Sequence, residues 1–145
     1  MSQVIFTIGT STRTREEFLA LLREHTIQIA VDVRSFPTSR FPHFIKDHLQ
    51  RTLESEGVDY HYLGRELGGF RKGGYPAYMK SDSFKKGFER LEGMGRQKRT
   101  VFICSERFPW KCHRRWISRE LTERGWQVIH IIEKGRVWIP KIGGP

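Results

Sequence analysis

Five short β-rich apolar runs alternate with helix-patterned stretches, and this alternation constrains the fold more than any other feature of the chain. The runs are QVIFTI (3–8), IQIAVDV (27–33), VDYHYL (58–63), TVFIC (100–104) and WQVIHII (126–132). Each has the length and side-chain type of a buried strand. Between the first two, Thr14 stands three residues before Glu17, a capping-box spacing. Phe18, Leu21 and Leu22 follow at helical intervals, which predicts a helix over 15–24. Residues 46–56 carry Leu49 and Leu53 one helical turn apart and stop at Gly57. Ser81 or Ser83 caps a further helix with Phe84, Phe88 and Leu91 on one face, expected to end around Gly93 to Gly95. A last helix runs from Arg114 to Glu123, before Gly125.

This order predicts an α/β fold: a single-domain, three-layer sandwich with a mostly parallel sheet of about five strands and helices on both faces. Its core spans residues 4–132, with 133–145 as a tail. A chain of 145 residues fits one such domain. No apolar run approaches the roughly 18 residues of a membrane span. The N-terminal segment reads as a strand, not a leader, so the expected location is cytoplasmic, with no membrane partner.

In an open parallel sheet, ligands bind beyond the carboxyl ends of the strands. That rule selects IGTSTR, DVRSFPTSR, the glycine-rich stretch 64–82 and CSERFPWKCHR. The loop 35–44 holds two prolines and cannot be a regular helix or an inner strand. The stretch 64–82 reads as the longest irregular segment, and its residues 64–79 as a third wall or lid of the site.

Asp32 ends an apolar strand, where an unpaired carboxylate is costly. Arg34, two residues on, points to the same side of the strand. Asp32 is therefore either a carboxylate tuned for chemistry or half of an Asp–Arg pair. Glu106 is a second candidate acid. Cys104 ends a strand just before a helix and is a candidate thiolate. With Cys112, eight residues on across a proline-containing loop, it is also a possible redox pair, although no C-x-x-C motif is present. His113 and Arg114 open a helix, where free amides favour anions; with Arg34 and Arg40 they form an expected phosphate pocket. Trp110, Tyr62 and Tyr78 are candidate stacking surfaces for a base. The C-x7-C-H spacing matches no usual zinc pattern. Neither a metal nor a cofactor is expected.

Lysine and arginine total 26 against 16 acids, a net charge of +10. Such an excess points to a polyanionic partner, nucleic acid or a nucleotide. There is no Walker phosphate loop, dinucleotide fingerprint, zincin motif or nucleophile-elbow serine, which disfavours motor ATPases, common dehydrogenases, zincins and α/β-hydrolases.

TIGTSTRTREEFLALL, VDVRSFPTSRFPHF, YHYLGRELGG, YPAYM and CSERFPWKCHRRWIS, in this order, resemble the domain-of-unknown-function 488 (DUF488) family over about residues 4–132. The resemblance implies the fold unit and supplies no reaction. It marks Gly9, Ser11, Asp32, Arg34, Pro37, Ser39, Arg40, Leu67, Gly68, Gly69, Cys104, Glu106, Pro109, Cys112, His113 and Arg114 as motif positions. Thr10 stands where family members often have His, so no role of that His carries over. The ends of the second and fourth strands also resemble the rhodanese arrangement superficially. Phe108-Pro109-Trp110 occupies the place of that family's amide-lined cradle.

These features lead to an expected function: a metal-independent hydrolase acting on nucleic acid or a nucleotide, in the manner of a DNA-repair DNA glycosylase. Cleavage of a glycosidic bond needs a carboxylate, Asp32 or Glu106, beside cations that hold phosphate. Gly9, Ser11, Ser39, Gly68 and Gly69 would complete the substrate-binding set. The alternatives are a non-catalytic basic module that binds DNA or RNA and a thiol-dependent enzyme using Cys104.

Overall fold

The computed structural model describes residues 3–140. The five apolar runs form β1 (Gln3–Gly9), β2 (Ile29–Asp32), β3 (Asp59–Tyr62), β4 (Thr100–Cys104) and β5 (Trp126–Glu133). All five are parallel. A short β6 (Arg136–Trp138) pairs antiparallel with β5, so the sheet has six strands in the order β3-β2-β4-β1-β5-β6. β6 falls inside the expected tail; three residues are too few to show a period. The rest of that tail, residues 141–145, lies outside the described residues.

The helices divide between the two faces because a parallel sheet must be covered on both sides. α1 (Arg15–Glu24) starts at the predicted capping box: Glu17 N–H donates to Thr14 Oγ1 at 3.0 Å, and Thr14 N–H donates to Glu17 Oε1 at 2.9 Å. With α2 (Lys46–Ser55) it covers one face, packing Phe18, Leu22, Leu49 and Leu53 on Ile8, Ala30 and Ile103. The other face carries α3 (Gly64–Leu67), α4 (Tyr75–Tyr78), α5 (Asp82–Gln97) and α6 (Arg114–Glu123). There Leu67, Phe84, Phe88, Ile117 and Leu121 pack on Val31, Phe102 and Val128.

Two local expectations change. The stretch 64–82 is not wholly irregular; it contains the single turns α3 and α4. Helix α5 runs through Gly93 and Gly95 to Gln97. Gly95 serves close packing, not termination: a Cβ there would stand 2.8 Å from Trp126 Cη2.

β1 and β4 are neighbours, but their connections leave in opposite directions. β1 leads through α1 to β2, and β4 leads through α6 to β5 on the far side. Their carboxyl ends, Gly9 and Cys104, therefore open a crevice at a topological switch point. Among the described residues no helix is long and apolar enough to cross a membrane.

Candidate functional site

Beyond the end of β4 lies a hollow of about 350 Å³. Cys104, Cys112 and His113 line its floor, and Ser35, Phe36, Gly69 and Phe70 form the opposite wall. Arg34, Ser105, Glu106 and Lys111 also line it. A second hollow of about 380 Å³ adjoins it and shares Gly69, Phe70, Lys111, Cys112 and His113.

Both cysteines are free, and their sulfurs lie 3.0 Å apart. The two are not equivalent. Cys104 is buried at the strand end, while Cys112 is half-buried in the turn before α6. The Cys112 sulfur accepts the Arg114 backbone N–H and Arg114 Nε, each at 3.3 Å. A hydrogen bond from the Cys104 thiol, aided by the charge and hydrogen bonds of Arg114, outweighs burial and lowers the Cys112 pKa to about 6. Burial and the neighbouring Cys112 sulfur push Cys104 well above the usual thiol range. The two sulfurs therefore share a proton, with Cys112 the more acidic of the pair.

Arg114 is fully buried and sits behind the sulfurs. Its other donors reach Thr7 Oγ1 at 2.9 Å and the Glu106 and Arg107 carbonyls. Thr7 Oγ1 is in turn hydrogen-bonded to His130 Nδ1 at 2.6 Å. Burial, aided by the Arg114 charge, lowers His130 to about 3, so it is a neutral imidazole. The phosphate-pocket expectation for Arg114 is corrected: the guanidinium supports Cys112 from inside the protein and has no path to a ligand phosphate.

His113 borders both hollows. Its Nε2 lies 2.9 Å from the Val33 carbonyl, which can only accept, so Nε2 carries the proton and Nδ1 is an acceptor. Burial, opposed by the Val33 bond and aided by Arg114 and Arg71, lowers His113 to about 4. It is a neutral imidazole, not the expected phosphate-binding cation. Gly69 makes room for it: a Cβ there would stand 3.1 Å from Nδ1.

Asp32 lies elsewhere. It is in register with Ile103, so its side chain shares the face of Ile103, and Cys104, one residue on, faces the other way. Both Asp32 oxygens are engaged: Oδ1 by Arg34 Nε at 2.9 Å, Oδ2 by Arg34 Nη2 at 2.8 Å and by the Tyr60 hydroxyl at 2.6 Å. Arg34 Nη1 also donates to the Phe44 carbonyl at 2.7 Å. Burial lowers the Arg34 pKa, and the bonds to Asp32 more than restore it. The catalytic expectation for Asp32 and the phosphate expectation for the Arg34 guanidinium give way to a buried ion pair that ties the end of β2 to β3 and the following loop.

The remaining predicted residues divide between scaffold and surface. A Cβ on Gly9 would meet the Glu106 carbonyl oxygen at 1.8 Å, and one on Gly68 would meet Ser35 Oγ at 2.1 Å, so both glycines let loops approach closely. Ser11, at φ 49, donates its N–H to the Ser105 carbonyl at 2.8 Å. Tyr62 donates to the Arg34 carbonyl at 2.7 Å, and Tyr78 to the Glu66 carbonyl at 2.8 Å; neither ring lines a hollow. Ser39 Oγ accepts from Phe41 N–H, and exposed Arg40 rests on the Phe41 ring. Trp110 stacks on Phe108 at 5.0 Å, outside both hollows.

Sequence reasoning left Lys111, Phe36 and Phe70 out of the expected site and named Cys112 only as a possible redox partner and a motif position. The two phenylalanines are 67% and 89% exposed, with ring centroids 5.8 Å apart at the cavity wall. Large apolar residues in loops rich in proline and glycine were the available signal. Among the described residues no three His, Cys, Asp or Glu side chains are grouped to hold a metal ion.

No curated protein matches the chain. Residues 14–121 match the model of a family described as a domain of unknown function, DUF488. That match spans most of the chain and includes the β2 clamp, both cysteines and Arg114, and the chain therefore belongs to the DUF488 family.

Proposed function

We propose that this protein is a thiol-dependent oxidoreductase in which Cys112 is the attacking thiolate and Cys104 the resolving thiol. The observation that carries this reading is the 3.0 Å contact of the two sulfurs at the floor of an open cavity. The Cys112 sulfur attacks one sulfur of a substrate disulfide, forming a mixed disulfide and releasing the first thiolate. Cys104 then attacks the Cys112 sulfur, and the second substrate thiolate leaves. The Cys104 proton passes to a departing thiolate. The substrate gains two electrons as the Cys104–Cys112 disulfide forms, and an external dithiol returns the pair to its reduced state. The sulfur pair at the cavity favours this over glycosidic-bond cleavage by Asp32, because Asp32 lies on the other face of the sheet.

Titrating the reduced protein with a small disulfide and its thiol tests the proposal. A reversible intramolecular disulfide is expected by mass and thiol count. The Cys104→Ser variant should accumulate a mixed disulfide on Cys112, and Cys112→Ser should not react. Failure of the internal disulfide to form at any redox poise, or first reaction at Cys104, removes the proposal.

A second reading, a basic surface that binds DNA or RNA, is favoured by the net charge of +10. It predicts salt-dependent binding, and absence of binding at low salt rejects it.

A further inference from the structure

The second hollow has a different chemistry from the first. Arg71, Lys111 and Arg115 line it, and neither Asp nor Glu does. Among the described residues none of these three cations is in an ion pair, whereas the chain pairs many of its other arginines with acids. Arg71 is held in place: its Nε donates to the Gly68 carbonyl at 2.8 Å, and its guanidinium lies 3.8 Å from the Tyr78 ring centroid. Lys111 and Arg115 flank Cys112 in sequence, and Arg115 rests over Trp116 at 4.9 Å. Cations without counter-charges attract an anion, and most strongly in a concave site. The first hollow shares Lys111 with it but also carries Glu106, which repels an anion.

We propose that the substrate of the sulfur pair carries an acidic group, carboxylate or phosphate, that docks between Arg71, Lys111 and Arg115 while its reducible bond reaches Cys112. The proposal rests on the dithiol reading above and adds the substrate class. Cys112 is on the wall common to both hollows, so one ligand can occupy the cationic side and meet the sulfur. Glu106 sets the direction, keeping the acidic end out of the first hollow.

Two alkylating probes of similar size test it. Iodoacetate is an anion and iodoacetamide is neutral; both mark a thiolate. Rates at Cys112 are compared at low ionic strength with those of a small free thiol. The iodoacetate-to-iodoacetamide ratio is expected to exceed that of the free thiol by about tenfold. It should fall toward the free-thiol ratio in Lys111→Ala/Arg115→Ala. In the unaltered protein it should also fall on adding inorganic phosphate or acetate, against chloride at matched ionic strength. The more effective competitor tells phosphate from carboxylate. A ratio equal to the free thiol, indifferent to both competitors, overturns the anionic subsite and leaves the dithiol reading standing. A Cys112 inert to both probes near neutral pH removes both proposals.

Discussion

The Cys112 sulfur accepts two hydrogen bonds from a single residue, Arg114, one from its backbone N–H and one from Nε, each at 3.3 Å. The arginine so placed is fully buried and serves as a positioning residue for the sulfur. Arg114→Lys keeps a charge but loses the planar fork. The midpoint of Cys112 alkylation by iodoacetamide is expected to rise from about 6 toward the usual thiol range. Near-ultraviolet circular dichroism checks that the variant is folded. An unchanged midpoint in a folded variant would show that Arg114 does not stabilise the thiolate.

Cys104→Ala removes the largest contributor to the lowered pKa of Cys112, the hydrogen bond from its neighbour. The alkylation midpoint is again expected to rise, with the rate above that midpoint little changed. The measurement is the same rate-against-pH profile. A low midpoint that survives the substitution contradicts the shared-proton description of the pair.

Asp32→Asn leaves Arg34 as an uncompensated charge in the sheet. Removing one partner of such a buried pair costs about 3–5 kcal/mol. Denaturant unfolding should show that loss, while the alkylation midpoint of Cys112 in the folded fraction stays where it was. A stable variant with altered thiol reactivity would return Asp32 to the site.

His113 and His130 are neutral inside the fold, lowered to about 4 and about 3. In the unfolded chain they take up protons near pH 6.5. The unfolded state therefore binds more protons below that pH, and stability is expected to fall as pH drops from about 6.5 toward 4. Above pH 7 both forms are neutral and the contribution is flat. His130→Gln, compared with the parent in urea at pH 7 and pH 5, should lose less stability between the two. Equal losses would place the acid sensitivity elsewhere.

Phe70 is 89% exposed, so Phe70→Ser should leave stability within about 0.5 kcal/mol. Its ring instead lies beside that of Phe36 at the wall of the thiol cavity. The variant is expected to reduce the advantage of N-phenylmaleimide over N-ethylmaleimide in labelling Cys112. Unchanged selectivity would mean that the aromatic pair does not touch what enters.

The strands and long helices were legible because their residues repeat at the spacing of the element they form. Thr14 and Glu17 announced the start of α1, and the two-residue step from Asp32 to Arg34 announced a pair on one side of the strand. The meeting of Cys104 and Cys112 was also open to the sequence, as one alternative. The face of the sheet on which each side chain lies was not. That depends on the register of β2 against β4, where Asp32 stands opposite Ile103, so that Cys104 points away. Register is a long-range property. The burial of Arg114 was hidden for a similar reason: Thr7 lies 107 positions away in the chain. Phe36 and Phe70, in two separate loops, gave no periodic signal at all.

The Asp32–Arg34 clamp has a consequence for how this lineage can vary. Its two members are close in the chain and closed off from water, and each makes the other tolerable. A change at either position alone passes through a weakened protein, while a joint change to two neutral, well-packed residues need not. Substitutions at positions 32 and 34 should therefore arise together in descendants of this sequence, each one opening the way for the other.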